Sequence, residues 1–454
     1  MRDKKLYILF LGDVFLSTLA IFIGFFLRFK NLSITDGLSG YDGTRIFLFM
    51  IVVIFSSFLF ELYSRDRDFG RKEIFARTSI AILLSFVILS VLFYMIPFIM
   101  IGRGFLAWSL AIFLFLQYLW HVGYQFCINL PGFAKRVLII GTGPLAEKIG
   151  NIIISTNHNH ILSGYLHFAH EPVYVPATSI LENTTSLIET VKREKASKIV
   201  ISLSERRGTL PLKDILSCKL RGIEVLDAPS FYEQLTGKLL IENITPSCFI
   251  FSDGFRITPF KNVIKRIFDI LFSSIGVIIA LPLIPLIALL IKMDSPGPVF
   301  FRQVRLGYRE KHFVLYKFRT MRQDAEGKTG AVWAEKNDPR ITRVGSFLRK
   351  TRLDEIPQLY NVLKGDMSFV GPRPERPEFI EKLKDIIPYY SERHYVKPGI
   401  TGWAQVKYPY GASVEDAIEK LRYDLFYIKH ISFFVDLLIV LETIQVVLFG
   451  RGGR

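Results

Sequence analysis

Four apolar stretches occupy the first 128 residues of the chain: Leu6 to Phe29, Ile46 to Tyr63, Thr78 to Ile101 and Phe105 to Ile128. Each approaches the roughly 20 residues a helix needs to cross a bilayer core. Inside a bilayer only helices and closed barrels satisfy their own backbone, so residues 1–130 are expected to form a bundle of four transmembrane helices. The first stretch is too long for a cleaved leader and lacks a small-residue cleavage site. The whole chain agrees: its 454 residues are 50% hydrophobic with a mean hydropathy of +0.33, too apolar for disorder.

Basic residues set the orientation. Arg2, Lys4 and Lys5 precede the first stretch; Arg65, Arg67, Arg71, Lys72 and Arg77 lie between the second and third; Lys135 and Arg136 follow the fourth. The segment from Asn31 to Thr44 has no Lys or Arg, so both ends of the bundle are expected in the cytoplasm. Asp13 lies within two turns of the basic terminus and is expected to reach the interface rather than line a polar pathway.

A fifth apolar stretch, Ile267 to Ile291, is flanked by Lys261, Lys265 and Arg266 on one side and Lys292 on the other, and is interrupted by Pro282 and Pro285. Cytoplasmic flanks at both ends and proline in the middle predict a re-entrant helix over 263–291 rather than a fifth span. Asp269 is expected to pair one turn back with Lys265 or Arg266.

Residues 135–250 alternate short β-branched runs with amphipathic stretches, the pattern of a parallel α/β sheet. The turn Gly141, Thr142, Gly143, Pro144, Leu145, Ala146 fits the G-x-G-x-x-A phosphate-binding pattern after a strand. The acidic residue that should follow about 20 positions later is missing around Gly164 to His167. A Rossmann-like regulatory or assembly domain is expected in preference to a redox domain. His158, His160, His167 and His170 lack partner acids at ligand spacing and read as a solvated loop. Cys127, Cys218 and Cys248 have neither pair nor ligand spacing.

Lys and Arg number 57 against 41 acidic residues, a net charge of +16, and fourteen of the basic residues against five acidic ones fall between Arg302 and Arg352. They sit in glycine- and proline-punctuated motifs, which suits a compact phosphorylated ligand better than nucleic acid. Asp354 and Glu355 lie together among these cations. Thr351 with Asp354 reads as a capping box, but Pro357 favours a helix starting nearer Asp354, at whose positive end a carboxylate stays ionised. Arg373, between Pro372 and Pro374, has a fixed backbone from which its side chain can be aimed at a phosphate. Arg340 and Arg343 are expected to pair with Asp338 or Glu335. Trp403 and Tyr395 are expected in the core. The run Val435 to Leu448 carries Asp436 and Glu442 and suits a helix lying on the bilayer.

The ordered motifs FFRQVRLG, YKFRTM, DPRITRVGSFLR, LDEIPQLYNVLKGDMSFVGPRPE and KPGITGWAQV, over roughly Val263 to Gly450, resemble the bacterial sugar transferase domain of polyprenyl-phosphate glycosyl-1-phosphate transferases. With the preceding helices and middle domain they resemble the long form of the family, and the ending YPYGASVEDAIEKLRYDLFYIKH is similar to the exopolysaccharide-locus subgroup that accompanies exosortase systems. The resemblance implies an α/β membrane-associated catalytic domain over 260–454. Its implied reaction passes a sugar phosphate from a UDP-sugar to undecaprenyl phosphate, releasing UMP through an aspartyl phospho-sugar on Asp354. It implies that Asp354 and Glu355 hold Mg²⁺ or that Glu355 manages a proton, that Lys317, Arg319, Arg349 and Arg373 bind phosphates, and that Asp424 joins them. The implied place is the bacterial inner membrane with the active site on its cytoplasmic face, and the bundle and middle domain offer surfaces for a homodimer. The family carries Ser-Pro in its broken helix, where this chain has Leu281 before Pro282.

Two other classes compete. A membrane-bound NAD-dependent nucleotide-sugar dehydratase or epimerase would need a Tyr-x-x-x-Lys, and Tyr360 with Lys364 has that spacing. A non-enzymatic basic scaffold for lipid or nucleic acid would tolerate loss of the Asp354 carboxylate.

Overall fold

The computed structural model describes residues 4–28, 43–60, 62–63, 71–128, 134–156, 160–167, 171–181, 186–203, 210–243, 249, 254–256, 258–323, 338–408, 411 and 413–448. Arg2, Arg65, Arg67, most of the segment from Asn31 to Thr44, His158, His170, Cys248 and Glu335 lie outside them. Two compact units divide the chain, Met1–Phe231 and Tyr232–Arg454.

The first unit opens with helices α1 (Lys4–Arg28), α2 (Gly43–Leu59), α3 (Arg71–Met95) and α4 (Arg103–Ile128). Among the described residues three of these, α1, α3 and α4, have the length and composition of a membrane span, against the four expected. The difference is α2, which is apolar but has 17 residues, about 25 Å of helix against a core of about 30 Å. It stops because the chain turns after Leu59, with Leu62 N donating to Ser57 O at 3.2 Å. The turn brings the Tyr63 hydroxyl to Asp13 Oδ2 at 2.6 Å.

Asp13 is also a correction. Instead of reaching the interface it is fully buried, and its Oδ2 accepts further bonds from Gln117 Nε2 at 2.8 Å and pairs with His121 Nε2 at 2.9 Å. One carboxylate thus ties α1 to α4 and to the turn after α2, which answers the cost of a charge placed among apolar helices. Close approach of α1 and α4 depends on Gly12, where an added Cβ would lie 2.3 Å from the Trp120 ring.

Five strands follow: β1 (Lys135–Ile140), β2 (His160–Leu166), β3 (Ile180–Leu181), β4 (Lys198–Ile201) and β5 (Glu224–Asp227). All pair in parallel in the order β3-β2-β1-β4-β5, and β1 is buried from Val137 to Ile140 as its unbroken apolar run requires. Helices α5 (Pro144–Thr156), α6 (Leu187–Arg193), α7 (Leu212–Leu220) and α8 (Ala228–Thr236) accompany the strands. The glycine turn lies between β1 and α5 as expected. Its anion position is occupied from within, since Thr142 N donates to Glu171 Oε2 at 2.9 Å. The expected solvated histidine loop is corrected for two of its members: His167 Nδ1 meets Thr142 Oγ1 at 3.0 Å, and His160 packs edge-on to Phe231.

The second unit takes in the end of α8 and continues with α9 (Pro259–Ala280) and α10 (Leu283–Asp294), a pair bent by 61°. Pro282 caps α10 and Pro285 falls in its first turn, where backbone N–H groups have no partner inside a helix. Leu281, in place of serine, leaves the bend in place. Asp269 corrects its expectation: it accepts from Ser368 Oγ and Phe369 N, both at 2.8 Å, while Lys265 pairs with Asp436 at 2.8 Å. Arg266 instead donates to the carbonyls of Val362 at 2.6 Å and Leu363 at 2.7 Å.

Strands β6 (Phe300–Leu306) and β7 (His312–Phe318) form an antiparallel hairpin that sets Phe301 opposite Lys317. Then come α11 (Arg343–Lys350), α12 (Gln358–Lys364), β8 (Ser368–Val370), α13 (Pro377–Ile386), β9 (Gly399–Thr401), α14 (Trp403–Lys407), α15 (Val414–Lys429) and α16 (Phe433–Leu448). Strands β8 and β9 pair in parallel, and a core including Phe268, Val370, Ile380, Leu421 and Leu425 joins α9, α13 and α15. The polar residues of α16 turn inward, Asp436 to Tyr427 and Lys265, Thr443 to Thr401, Glu442 to Lys407. Phe433 and Phe434 stay exposed.

Candidate active site

Asp354 and Glu355 sit on a single 3₁₀ turn, Leu353–Glu355, between α11 and α12. The turn is built from both sides. Thr342 Oγ1 accepts from Gly345 N at 3.0 Å to start α11, and Asp294, at the end of α10, accepts from Val344 N at 2.9 Å. After α11, Arg352 takes a left-handed conformation, φ 60°, which reverses the chain into the turn at some cost in strain. Thr351 does not form the capping box; its hydroxyl donates back to Phe347 O at 2.9 Å. Pro357 caps α12, so Asp354 lies one short turn before the helix rather than inside its first turn. Asn361 then fixes α12 against β7, its Oδ1 accepting from Tyr316 N at 3.1 Å and its Nδ2 donating to Val314 O at 2.7 Å.

The two carboxylates are both buried but differently partnered. Glu355 Oε1 accepts from Lys317 Nζ at 3.0 Å and Arg373 Nη2 at 2.8 Å, with Arg352 Nη1 at 4.0 Å. Asp354 Oδ2 lies 3.9 Å from Lys317 Nζ. Burial alone would push the Glu355 carboxyl up, but Arg373, Lys317 and Arg352 outweigh it and hold it well below the usual range. For Asp354 burial prevails: helped by the Glu355 charge and opposed by Lys317, Arg373 and Arg349, it pushes this carboxyl above its ordinary value. A cation-rich turn with one firmly ionised carboxylate beside one of raised basicity can attack, or bind, an electrophilic phosphate.

The other expected site residues divide. Lys317, on β7, and Arg373, after β8, come directly to the pair. Arg349 stands close enough to share charge with Asp354 and donates Nε to Thr320 Oγ1 at 2.9 Å. Arg319 is directed elsewhere: it donates to Pro296 O at 2.8 Å and to Ser295 O at 2.6 Å, anchoring the exit of the bent helix. Asp424 is buried against Arg393 Nη2 at 2.8 Å. Arg340 pairs with Asp338, as expected. Trp403 is in the core, donating to Gly237 O at 2.8 Å, whereas Tyr395 is exposed. Tyr360 and Lys364 form no dehydratase pair, because Tyr360 is exposed against Tyr316 and Lys364 bonds Asp366 at 2.8 Å.

Sequence reading missed Asn361, Arg352, Arg393 and Gln405, the last accepting from Arg373 Nη1 at 2.9 Å. Asn361 had one signal, its place within the carboxylate motif itself. Arg352 lies only three positions before Glu355, while Arg393 and Gln405 are recognised by partners distant along the chain.

Residues 260–450 match the model of the bacterial sugar transferase family. A UDP-N-acetylgalactosamine-undecaprenyl-phosphate N-acetylgalactosaminephosphotransferase of Aeromonas hydrophila is 44% identical over 237 residues, 52% of this chain and 55% of that protein. A UDP-glucose:undecaprenyl-phosphate glucose-1-phosphate transferase of Xanthomonas campestris is 46% identical over 183 residues, 40% of this chain and 38% of that protein. The chain thus spans about half or less of these two relatives. A UDP-glucose:undecaprenyl-phosphate glucose-1-phosphate transferase of Escherichia coli is 31% identical over 429 residues, 88% of each chain. With that coverage, and with the carboxylate turn, its cations and the bent helix pair all inside the matched region, the chain belongs to the bacterial sugar transferase family.

Proposed function

We propose that the chain transfers a sugar 1-phosphate from a UDP-sugar to undecaprenyl phosphate and releases UMP, the membrane step that begins an exopolysaccharide or O-antigen repeat unit. The observation that carries this reading is the unequal pair: Glu355 bound by Lys317 and Arg373, Asp354 beside it with raised basicity.

In the first half-reaction an Asp354 oxygen attacks the β-phosphorus. A new oxygen–phosphorus bond forms, the bond to the bridging oxygen breaks, and UMP departs with that oxygen. In the second half an oxygen of undecaprenyl phosphate attacks the same phosphorus, yielding the lipid diphosphate sugar and restoring the carboxylate. Lys317, Arg349 and Arg373 offset the phosphate charge and hold the groups in line. Glu355 keeps Lys317 and Arg373 in place between turnovers. The donor set also suits Mg²⁺, held by Asp354 and Glu355: such an ion commonly takes one or two carboxylates, with substrate phosphates and water completing its shell. Bound there, it would neutralise charge on the diphosphate.

The basic loops support a bacterial inner-membrane protein with four N-terminal crossings, α2 completing the set, and with α9 and α10 entering and leaving on the cytoplasmic side. The relatives' names divide between glucose and N-acetylgalactosamine, so the donor is to be found by assay. A homodimer through the bundle or the middle domain completes the reading and is checked by particle mass in nanodiscs. The deciding experiment is UMP release from a panel of UDP-sugars by nanodisc-held protein with Mg²⁺ and undecaprenyl phosphate. Release beyond one UMP per enzyme should require lipid, all release should require metal and Asp354, and an Asp354→Asn variant with wild-type rate would overturn the reading.

A further inference from the structure

The segment Pro372–Arg373–Pro374 is poor in donors, because only its central residue has a backbone N–H. It is held through its carbonyls, and each has a partner. Gly399 N donates to Pro372 O at 2.9 Å, Arg393 Nη2 to Arg373 O at 3.0 Å, and Arg305 Nη1 to Pro374 O at 3.1 Å. The middle bond concerns the residue whose side chain reaches both Glu355 and Gln405.

Arg393 is itself buried, with side-chain exposure of 5%. A guanidinium taken out of water is costly unless paired and hydrogen-bonded. Here Asp424 accepts from Nη2 at 2.8 Å and the Tyr390 hydroxyl accepts from Nη1 at 2.7 Å. Glu375 and Lys420 add their charges from neighbouring elements. The order of contact is therefore Asp424 to Arg393, Arg393 to the Arg373 carbonyl, and the Arg373 guanidinium to Glu355.

We infer that Arg393, fixed by Asp424 and Tyr390, is a positioning residue for the transfer reaction, holding the Arg373 backbone so that its guanidinium stays aimed at the carboxylate pair. The inference rests on the transferase reading. It gives Asp424 a role through Arg393 in place of direct phosphate contact.

A merely structural Arg393 would lower activity independently of Arg373, whereas a positioning one acts through it, and a double-variant cycle separates the two. The full chain in nanodiscs is assayed for UMP release with a panel of UDP-sugars and undecaprenyl phosphate. Arg393→Lys keeps the charge but loses the fork that spans Asp424, Tyr390 and the carbonyl. It should lower kcat by about 100-fold while the donor KM moves by no more than about threefold, as for a misplacement of about 1 Å. Arg373→Lys should cost a similar factor, and the double variant should fall no more than about threefold below the worse single one. Multiplied losses, about 10⁴-fold, would overturn the inference, as would full activity in Arg393→Lys. If that variant does not fold by thermal melting, Asp424→Asn replaces it in the same cycle. A wild-type protein inactive with every donor overturns the transferase reading and this inference together. An active wild type with multiplied losses overturns the inference alone.

Discussion

Glu355 and Asp354 are neighbours in the chain and equally buried, yet Lys317 Nζ stands 3.0 Å from one and 3.9 Å from the other. That difference of under an ångström, with Arg373 added on the Glu355 side, sends the two carboxyls in opposite directions from their ordinary values.

Removing the Glu355 charge should therefore act on Asp354. In Glu355→Gln the negative neighbour that raises the Asp354 carboxyl is gone, and Lys317 is released toward Asp354. The acid limb of the pH profile for UMP release should move to lower pH, while the rate at neutral pH falls by about 10²- to 10³-fold because Lys317 and Arg373 lose their fixed partner. A limb that stays in place or moves upward would contradict this account. The profile is measured with the donor found to work for the wild type.

Stability against pH should show two opposed contributions from the second unit. His394 is pushed down to about 4 by burial and by Arg393, so between about 4 and its ordinary 6.5 the unfolded chain binds the extra proton and stability rises with pH. Asp424 is pushed up to about 6 by burial against the pull of Arg393, so between its ordinary 3.8 and about 6 the folded chain binds the extra proton and stability falls with pH. Each is worth about 3 kcal/mol across its window, and they largely cancel. His394→Gln should leave a melting temperature that declines from pH 4 to 6, and Asp424→Asn one that climbs over the same range. Parallel curves for the two variants would show that these groups do not govern the response.

Asp13 makes a prediction about the bundle. Asp13→Leu strips the acceptor from Tyr63, Gln117 and His121 at once, and should lower stability by about 2–4 kcal/mol, read as a drop in the detergent melting point. Asp13→Asn keeps one acceptor oxygen and should lose less. Equal melting for the leucine variant and the wild type would mean that the three donors find other partners.

The bend at Pro282 is expected to depend on the missing N–H. Pro282→Ala restores a donor, and a continuous helix over the 36 positions from 259 to 294 would extend about 54 Å. Spin labels at Lys261 and Met293 should move apart in this variant, and UMP release should fall because Asp294 and the Ser295 carbonyl no longer meet α11 and Arg319. An unchanged label distance would assign the bend to packing instead.

Local chemistry was legible in the sequence, and partnership across long separations was not. Pro282 marked its break because proline acts on its own residue. Asp354 and Glu355 marked a site because adjacent carboxylates among cations need no fold to be recognised as unusual. Asp269 was assigned to a cation one turn away, yet its partner Ser368 is 99 positions on, and nothing in the spacing could choose between them. Arg319 and Asp424 were grouped with the phosphate binders by resemblance, but Arg319 is taken up by Ser295 and Pro296 and Asp424 by Arg393. The length of α2 failed for a related reason: hydropathy counts Tyr63 with the span, while its hydroxyl leaves the helix for Asp13.

Arg266 closes the carbonyl end of α12 from α9, the long arm of the bent pair. The carboxylate turn immediately precedes α12, so the apolar arm and Asp354 are joined through one short helix with its far end clamped. Sinking or lifting α9 in lipid would carry Asp354 with it, as a float carries its line. On the proposed reading the bilayer would then act as a gauge, setting how far the phosphate of the lipid acceptor must rise to meet the carboxylate turn.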